Sequence, residues 1–538
     1  WHTFFHSRVG DDACVLGGCL RICFGLIFLY DRLILGMDLQ DFFTPKHGAL
    51  PLHVGRDNEN LGPSMPTLFE YYEESDTFMW FLYGLGQVQA TLFVLGVCPR
   101  FQLACLFVNI LSFQNHNFLF WDEQDVLFRI WGFLLLFCPL HRITIYDLFK
   151  SPEYKHVDSW PIWPFRLFQI QLTLMYMSLS LHKLQCEEWQ TGEALYWIQD
   201  SLGFAAGSWV TLPDVILNRM MPIQILSWLV VGLELASWIT LWVPGLKWST
   251  AFCMIAFNLV TELTMNLHCM PWLAILGWSA TLFKESNVEH AKDRLPAHSH
   301  GVYPHSSNVV QTVSDFMHQF RPEICFVTDL LLASGLVLLL IDTLPIAALE
   351  DLIFSAPSAL SKYQQALYAV IDPTLCVLGL WQGPWNLHGG DMASYHKLSY
   401  SAYLYRYHLP SDETDEEYIE AEHYTFPVPA DASTMWERKR YARQWIYFSH
   451  LNDKQASGAW VSLGEAISDQ QYRTPSSKQN KDNSDTVMGL EMVVHWEGSL
   501  EPSAPMWSWD VPARDENTKF TSWTSLMKVR YCTDIIPS

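Results

Sequence analysis

Long apolar runs separated by short polar connections fill roughly the first 350 residues of the chain, and charged residues concentrate after position 390. A hydrocarbon core about 30 Å thick is crossed by about 20 mainly apolar residues in a helix. The pattern predicts nine transmembrane helices, with eight as the alternative count. The predicted windows are 14–35, 78–98, 101–113, 126–140, 163–184, 222–244, 246–265, 270–283 and 324–344.

The pattern changes beyond the last window. Alternating, Tyr-rich residues 395–407 predict a strand pair, and 487–496 predicts a further strand. Residues 434–451 predict an amphipathic helix, 412–422 an exposed acidic loop, and 475–485 a polar mobile loop. The core-facing side chains predicted for this helix are Trp436, Tyr441, Trp445 and Phe448.

These patterns predict an all-α polytopic membrane domain with about eight to nine transmembrane helices. A small soluble α+β or β-rich C-terminal domain is expected to follow it. We place the transmembrane domain at residues 1–350, a membrane-exit linker at 351–390 and the soluble domain at 391–538. Trp residues crowd the ends of the predicted helices, as in the aromatic belts of membrane proteins.

The positive charges are distributed asymmetrically over the predicted connections. One side carries many more Lys and Arg residues than the other, which predicts that the richer side is cytosolic. The C-terminal domain is then extracytoplasmic. The richer side carries Arg8, Arg100, Arg142, Lys150, Lys155, Lys247, Lys284, Lys292, Arg294 and Arg321, and the poorer side Lys46, Arg56, Lys183 and Arg219.

The formal net charge of -23 argues against nucleic acid as a partner, because phosphate binding needs clustered cations. One basic cluster occurs near the C-terminus, and its helical spacing favours a solvated helix surface. It consists of Arg438, Lys439, Arg440 and Arg443. The 12 cysteines show no metal-binding spacing, so no metal site is expected. Four of them, Cys186, Cys269, Cys376 and Cys532, lie where one disulfide could form.

Lys183 ends a long apolar window and is the first candidate for chemistry. A lysine in this position can extend its ammonium group to the membrane surface. Alternatively, burial disfavours the ammonium form and makes the amine usable as a general base. Two carboxylates inside later windows, Glu234 and Glu262, need partners, and hydrogen bonds between helices are the simpler explanation for them.

Asn115, His116 and His268 lie in connections on the same predicted side as Lys183. Amide and imidazole groups in an apolar setting can stabilise a developing oxyanion. The Asn side chains could instead cap the neighbouring helices, and a lone histidine is commonly structural. We predict that Asn115, His116, Lys183 and His268 line one cavity open to the extracytoplasmic leaflet.

Five short segments carry a family resemblance: 21–32 (RICFGLIFLYDR), 115–119 (NHNFL), 182–192 (HKLQCEEWQTG), 267–270 (LHCM) and 381–385 (WQGPW). In them the chain resembles the vitamin K-dependent gamma-glutamyl carboxylases and the wider group of HTTM-domain membrane proteins. The resemblance extends over about residues 1–390. His182-Lys183 stands where the carboxylases have two lysines.

The resemblance implies carboxylation of protein glutamate, coupled to epoxidation of vitamin K hydroquinone, with O₂ and CO₂ as co-substrates. It places Lys183 at the catalytic base and implies that Asn115 and His116 position the hydroquinone, with Trp189 also contacting it. His268 would assist at the edge of the site. The partners implied are membrane lipid, a quinone and a glutamate-containing protein.

The implied location is a multi-pass position in the endoplasmic reticulum or another endomembrane of a eukaryote, or in the inner membrane of a bacterium. The alternatives are another quinone-dependent base chemistry and a non-catalytic membrane role.

Overall fold

The computed structural model covers most of the apolar part of the chain and several segments after it. The residues described are 4–5, 7–44, 48, 50, 67–71, 75–149, 160–200, 219–284, 321–346, 359–382, 397–408, 418–426, 431–453, 486–497 and 522–525.

Every predicted apolar window coincides with a helix, and short or more polar helices occur between and after them. In chain order the helices are α1 (Asp11–Phe43), α2 (Asp76–Leu95), α3 (Pro99–His116), α4 (Glu123–Leu135), α5 (Trp163–Gln185), α6 (Glu187–Thr191), α7 (Ala194–Asp200), α8 (Met220–Thr240), α9 (Lys247–Thr264), α10 (Met270–Ala280), α11 (Arg321–Thr343), α12 (Ala359–Leu378) and α13 (Met435–Asp453).

Within the described residues, three helices are long and apolar enough to cross a membrane, judged by length and composition: α1, α2 and α8. Helix α1 has 33 residues and is therefore about 50 Å long at 1.5 Å per residue, more than the hydrocarbon core needs. Its surplus length extends beyond the apolar window 14–35 and carries Asp38. The count of eight or nine crossings stays a prediction.

Apolar side chains of α1 to α5, α9 and α10 form one continuous core. Aromatic rings dominate it; for example, Trp131 stacks on Phe168 with ring centroids 4.8 Å apart. Helix α1 approaches the chain after α4 so closely that a side chain at Gly17 or Gly18 would collide with the backbone of Pro139 or Arg142. Glycine at both positions therefore allows this packing.

The strands of the C-terminal region form a four-stranded antiparallel sheet with the order β4-β3-β5-β6. Two further strands, β1 (Arg8–Val9) and β2 (Trp160–Pro161), pair with each other near the N-terminus. The sheet consists of β3 (Lys397–His408), β4 (Tyr418–Thr425), β5 (Thr486–Glu497) and β6 (Ser522–Ser525).

Two sequence predictions for this sheet are wrong. Residues 397–408 form one strand and not a strand pair, because no Gly, Pro, Asn or Asp within them supports a tight turn. The second half of the predicted acidic loop, 418–422, belongs to β4, where backbone pairing with β3 outweighs its acidic composition. Its first part, 412–417, and the predicted mobile loop at 475–485 lie outside the described residues.

Helix α13 confirms the helix predicted at 434–451. Its start is capped reciprocally: Glu437 N donates to Thr434 Oγ1 at 3.3 Å, and Glu437 Oε2 accepts from Ser433 N at 2.8 Å. Trp445 and Phe448 are buried as predicted. Trp436 is 39 % exposed, so its predicted place in a core is wrong.

Candidate functional site

Lys183 lies near the C-terminal end of α5 and forms an ion pair with Glu234 from the middle of α8. The distance from Lys183 Nζ to Glu234 Oε1 is 2.6 Å, and each side chain is 5 % exposed. The second carboxylate oxygen, Glu234 Oε2, is buried and has no hydrogen-bond partner. The ammonium group is thus enclosed by protein and does not extend to the membrane surface.

Trp189 completes this arrangement, since Lys183 Nζ lies 4.9 Å from the centroid of its ring. The short helix α6 carries Trp189 and ends at Gly192, which has a left-handed φ of 84°. An added Cβ at Gly192 would lie 2.9 Å from Gln224 Cα, so only glycine permits this contact between α6 and α8. Gln224 Nε2 also donates to Thr191 O at 3.2 Å.

Apolar side chains surround the Lys183–Glu234 pair. The buried members of this cluster are Cys186, Trp189, Ala194, Leu195, Tyr196, Trp197, Ile198, Met220, Ile223 and Val231. In such a medium a Lys–Glu pair is costly to desolvate, and removing one partner leaves an uncompensated charge.

His268 is placed by the turn between α9 and α10, where it has a φ of 50°, an uncommon value for a residue with a side chain. Its Nδ1 lies 2.8 Å from Asp122 Oδ2. Asp122 is held by the start of α4, where it accepts from Gln124 N at 2.6 Å and donates its own N–H to Asp125. His268 Nε2 is buried without a hydrogen-bond partner.

The electrostatics of this pair follow from its burial. Burial lowers the pKa of His268 to about 3, and the positive charges of Arg443 and Lys439 act in the same direction. Burial, together with the negative charge of Asp125, raises the pKa of Asp122 to about 7. Both shifts favour the uncharged forms of the pair, a protonated Asp122 and a neutral His268, whose Nδ1 and Oδ2 atoms are 2.8 Å apart.

His116 and Asn117 hold the C-terminal end of α1. His116 Nε2 contacts Phe43 O at 3.0 Å, and Asn117 Nδ2 donates to Phe42 O at 2.9 Å. The His116 ring packs on Phe69 with centroids 4.6 Å apart. His116, which was predicted to contact a ligand, therefore has the geometry of a residue that caps α1. Asn115, the residue before it, is half-buried.

Lys439 and Arg443 of the basic cluster on α13 are buried, so the sequence prediction of a solvated helix surface is wrong for these two residues. Lys439 Nζ lies 3.0 Å from Glu262 Oε1 and donates to His268 O at 2.6 Å. Arg440 Nε lies 2.6 Å from Asp38 Oδ1. The cations face inward because carboxylates from α1, α4 and α9 stand opposite them.

Arg443 makes the most buried of these contacts. Its Nη1 donates to Asp31 Oδ1 at 2.7 Å and its Nη2 to Asp125 Oδ1 at 3.2 Å. Two carboxylates therefore keep the pKa of Arg443 above its usual value despite burial. Two features of the sequence could have indicated that α13 packs on the helical bundle. They are the basic run 438–443 in an acidic chain and the acidic residues at the ends of the predicted helices.

The structure thus brings Lys183 together with Trp189 and supplies Glu234 as its partner. His268 lies in a second group with Asp122 and α13, and His116 lies at the end of α1. That all four predicted residues line one cavity stays a prediction. No disulfide bond joins the cysteines in the described part of the chain, and Cys532 lies outside it.

Residues 67–287 match the family model of the HTTM domain. The matched region runs from before α2 to the end of α10 and contains His116, Lys183, Trp189, Glu234 and His268. No curated protein and no solved structure matches the chain. The matched domain and the apolar helices indicate a membrane protein.

Proposed function

We propose, from the HTTM domain at residues 67–287, that the chain is a multi-pass membrane enzyme that carboxylates protein glutamate and uses vitamin K hydroquinone. HTTM domains are found in proteins of the vitamin K-dependent carboxylase family. In this proposal eight or nine helices cross the membrane and residues 391–538 form a soluble extracytoplasmic domain. Lys183 is the catalytic base.

The observation that carries the proposal is the buried Lys183–Glu234 pair beside Trp189. A lysine that acts as a base must be uncharged, and water around it would favour the ammonium form. The apolar surroundings of this pair exclude water, and Glu234 Oε1 at 2.6 Å can hold the proton that Lys183 gives up.

The residues present fit a reduced quinone. The aromatic and aliphatic cluster around Trp189 suits a fused ring, and Glu234 Oε2, a buried acceptor with no partner, suits a hydroxyl donor. Reduced vitamin K, when bound, supplies with O₂ the strong base that removes a γ-proton from glutamate before CO₂ adds. No metal is required in this proposal.

The remaining residues have positioning roles. Lys183 Nζ accepts a proton from a bound hydroxyl, and Glu234 keeps Nζ in place. Asn115 and His116 orient the ring and stabilise its oxygen, and His268 Nε2, buried and without a partner, assists at the edge of the site. We place this chemistry on the extracytoplasmic side of an endomembrane in a eukaryote, or of the inner membrane in a bacterium.

A second function has one observation in its favour. The ion pair between Lys183 and Glu234 joins α5 to α8 at 2.6 Å, and such a pair can serve assembly of the helices alone. In this case the chain is a non-catalytic HTTM protein.

The decisive experiment compares Lys183→Ala and Lys183→Arg with the wild-type protein, assayed with reduced vitamin K, O₂, labelled bicarbonate and a glutamate peptide. Because a guanidinium stays protonated at neutral pH, both variants should lose quinol epoxidation and carboxylation together, by at least about 10²-fold. Lys247→Arg is the matched control, since Lys247 Nζ also lies over an aromatic ring, 3.7 Å from the centroid of Phe283.

Retained activity in Lys183→Arg would contradict the assignment of the base. A folded wild-type protein that incorporates no label with any peptide would favour the non-catalytic function.

A further inference from the structure

Helix α12 carries a stripe of large apolar side chains on the surface of the molecule. Residues three, four or seven positions apart lie on one side of a helix. The side chains of this apolar stripe are each between 50 and 75 % exposed, and they are Tyr363, Leu367, Val370, Val377 and Leu378. The two charged residues of the helix, Lys362 and Asp372, lie on other sides of it.

The side of α12 away from the stripe packs on the helical bundle. Leu375 and Cys376 are buried there. After the helix the chain turns at Gly379, which has a left-handed φ of 69°, and a side chain at this position would collide with Leu111 of α3. Leu380 then packs against the core of the bundle. These contacts fix the orientation of α12, with its apolar stripe outward.

Both ends of α12 lie beside the C-terminal end of α11. Gln364 Nε2 donates to Ile341 O at 3.0 Å, and Gln382 N, just after the helix, donates to Asp342 Oδ2 at 3.2 Å. A straight helix of 20 residues is about 30 Å long and would place its ends on opposite sides of a hydrocarbon core. Pro373 inside the helix permits a bend. Helix α12 therefore returns to its starting level and does not cross the membrane.

The residues that α12 and the turn after it contact lie inside the apolar windows predicted to be in the membrane. Leu111 belongs to the third window and Ile341 to the ninth. Gln171 belongs to the fifth, and its Nε2 donates to Gln382 Oε1 at 2.5 Å. At this depth an outward-facing stripe has lipid beside it and not water.

Exposed apolar surface continues from α12 onto the two helices beside it. Val337 lies one turn before Ile341 on α11, and Val108 lies one turn before Leu111 on α3. Both valines are exposed. The stripe is thus part of a wider apolar surface, which favours lipid over a single protein partner as its occupant.

We propose that α12 lies within one leaflet, the one in which α11 ends, and inserts its apolar stripe among the acyl chains of phospholipid. An amphipathic helix with an apolar side and few charges binds a membrane in this way. Residues 359–378 belong to the predicted membrane-exit linker, so the chain leaves the membrane only after Gln382. The proposal is the same for either function of Lys183.

The test places benzoylphenylalanine, whose excited ketone inserts into nearby C–H bonds, at single positions of α12 in the full chain. The protein is reconstituted in phosphatidylcholine vesicles, irradiated and analysed by mass spectrometry. With the probe in place of Val370, the protein should gain the mass of one phosphatidylcholine molecule. Gln365 is the matched control position, because it is also exposed but lies on the side away from the stripe, and it should give no lipid adduct.

Leu367 is a second position on the stripe and should give the same lipid adduct, so one variant that fails to fold does not decide the test. Absence of lipid adducts at both Val370 and Leu367 overturns the proposal, and so do equal adducts at Gln365. A crosslink that joins two copies of the chain through these positions would show that protein covers the stripe, which also overturns it.

Discussion

At the scale of single residues, the site consists of buried groups whose charges depend on one partner each. Lys183 has Glu234, and His268 has Asp122. Burial makes each pair sensitive to the loss of either member, because an isolated charge is far more costly inside the protein than a matched pair.

Glu234→Gln should lower the free energy of unfolding by about 3–5 kcal/mol, because it leaves the Lys183 ammonium buried and unpaired. The double variant Lys183→Met/Glu234→Leu should recover most of this loss, since it replaces both charges with apolar groups. A double-mutant cycle in denaturant measures the coupling. Simple additivity of the two single changes would show that the pair contributes nothing to stability.

The Asp122–His268 pair should itself contribute no slope of stability against pH between about 4 and 6.5. In this range the folded pair holds one proton, and the unfolded chain also holds one, on a histidine with an ordinary pKa of 6.5. Equal proton numbers give no slope of stability against pH. Arg443, Lys439, Asp31 and Asp125 are charged groups beside the pair. Glu123 lies next to Asp122, and because burial raises its pKa to about 7, it lowers stability as pH rises from about 4.5 to 7 in wild type and variant alike.

Asp122→Asn should leave the contribution of His268 to the pH dependence of stability uncompensated. The pKa of folded His268 stays below its ordinary value, so below pH 6.5 the unfolded chain binds one proton more than the folded protein. Stability should therefore be complete above pH 6.5 and fall below it by up to about 1.4 kcal/mol per pH unit. Unfolding temperatures between pH 7 and 4.5 measure this, with Asp431→Asn as an exposed control. A profile of Asp122→Asn parallel to that of the wild type would contradict the burial argument.

At the scale of elements, α13 contacts the helical bundle from the C-terminal region. Its cations meet Asp31, Asp38, Asp125 and Glu262, which belong to three different helices. Aromatic contacts add to this docking: Tyr447 lies 5.0 Å from both Phe42 and Phe120. Helix α13 thus holds together the ends of α1, α4 and α9.

Arg443→Met should lower the free energy of unfolding by about 3–5 kcal/mol and release α13, because Asp31 and Asp125 lose their shared cation. Limited proteolysis should cut the variant near α13 well before the wild type. Lys362→Met, which changes an exposed cation on α12, should leave the cleavage rate unchanged. Equal resistance of Arg443→Met and wild type would mean that apolar contacts alone hold α13.

At the scale of the whole molecule, the helix ends separate into two groups. One end gathers cations paired within the bundle, such as Arg142 with Asp11 and Lys247 with Phe283 O at 2.9 Å. The other end carries the Asp122–His268 pair and α13. The orientation of these two ends in the membrane stays a prediction.

We expect protease added to sealed vesicles from the cytosolic side to cleave the connection 285–320 and to spare a tag placed after residue 538. The physical reason is the excess of Lys and Arg in the connections that we predict to be cytosolic. Digestion of the C-terminal tag from the cytosolic side would overturn both the nine-helix count and the shared side of Lys183, His116 and His268.

The sequence alone determined the positions of the long helices, because burial in lipid requires continuous apolar runs whose lengths are readable without a structure. It also located Lys183, Glu234 and His268 as unusual groups in apolar surroundings, and Trp189 was named through the family resemblance. Helix α13 was predicted within a few residues. The match to the HTTM domain at 67–287 agrees with the family resemblance of the segments 115–119, 182–192 and 267–270; the segments 21–32 and 381–385 lie outside the matched region.

Only the tertiary structure decided which groups meet. Lys183 and Glu234 are separated by 51 positions, and Arg443 and Asp31 by 412, so no local pattern could pair them. The basic run of α13 had the spacing of a solvated surface, and spacing does not reveal a carboxylate contributed by a distant helix. Pairing depends on helix packing in three dimensions, whereas helix formation in lipid depends on local composition.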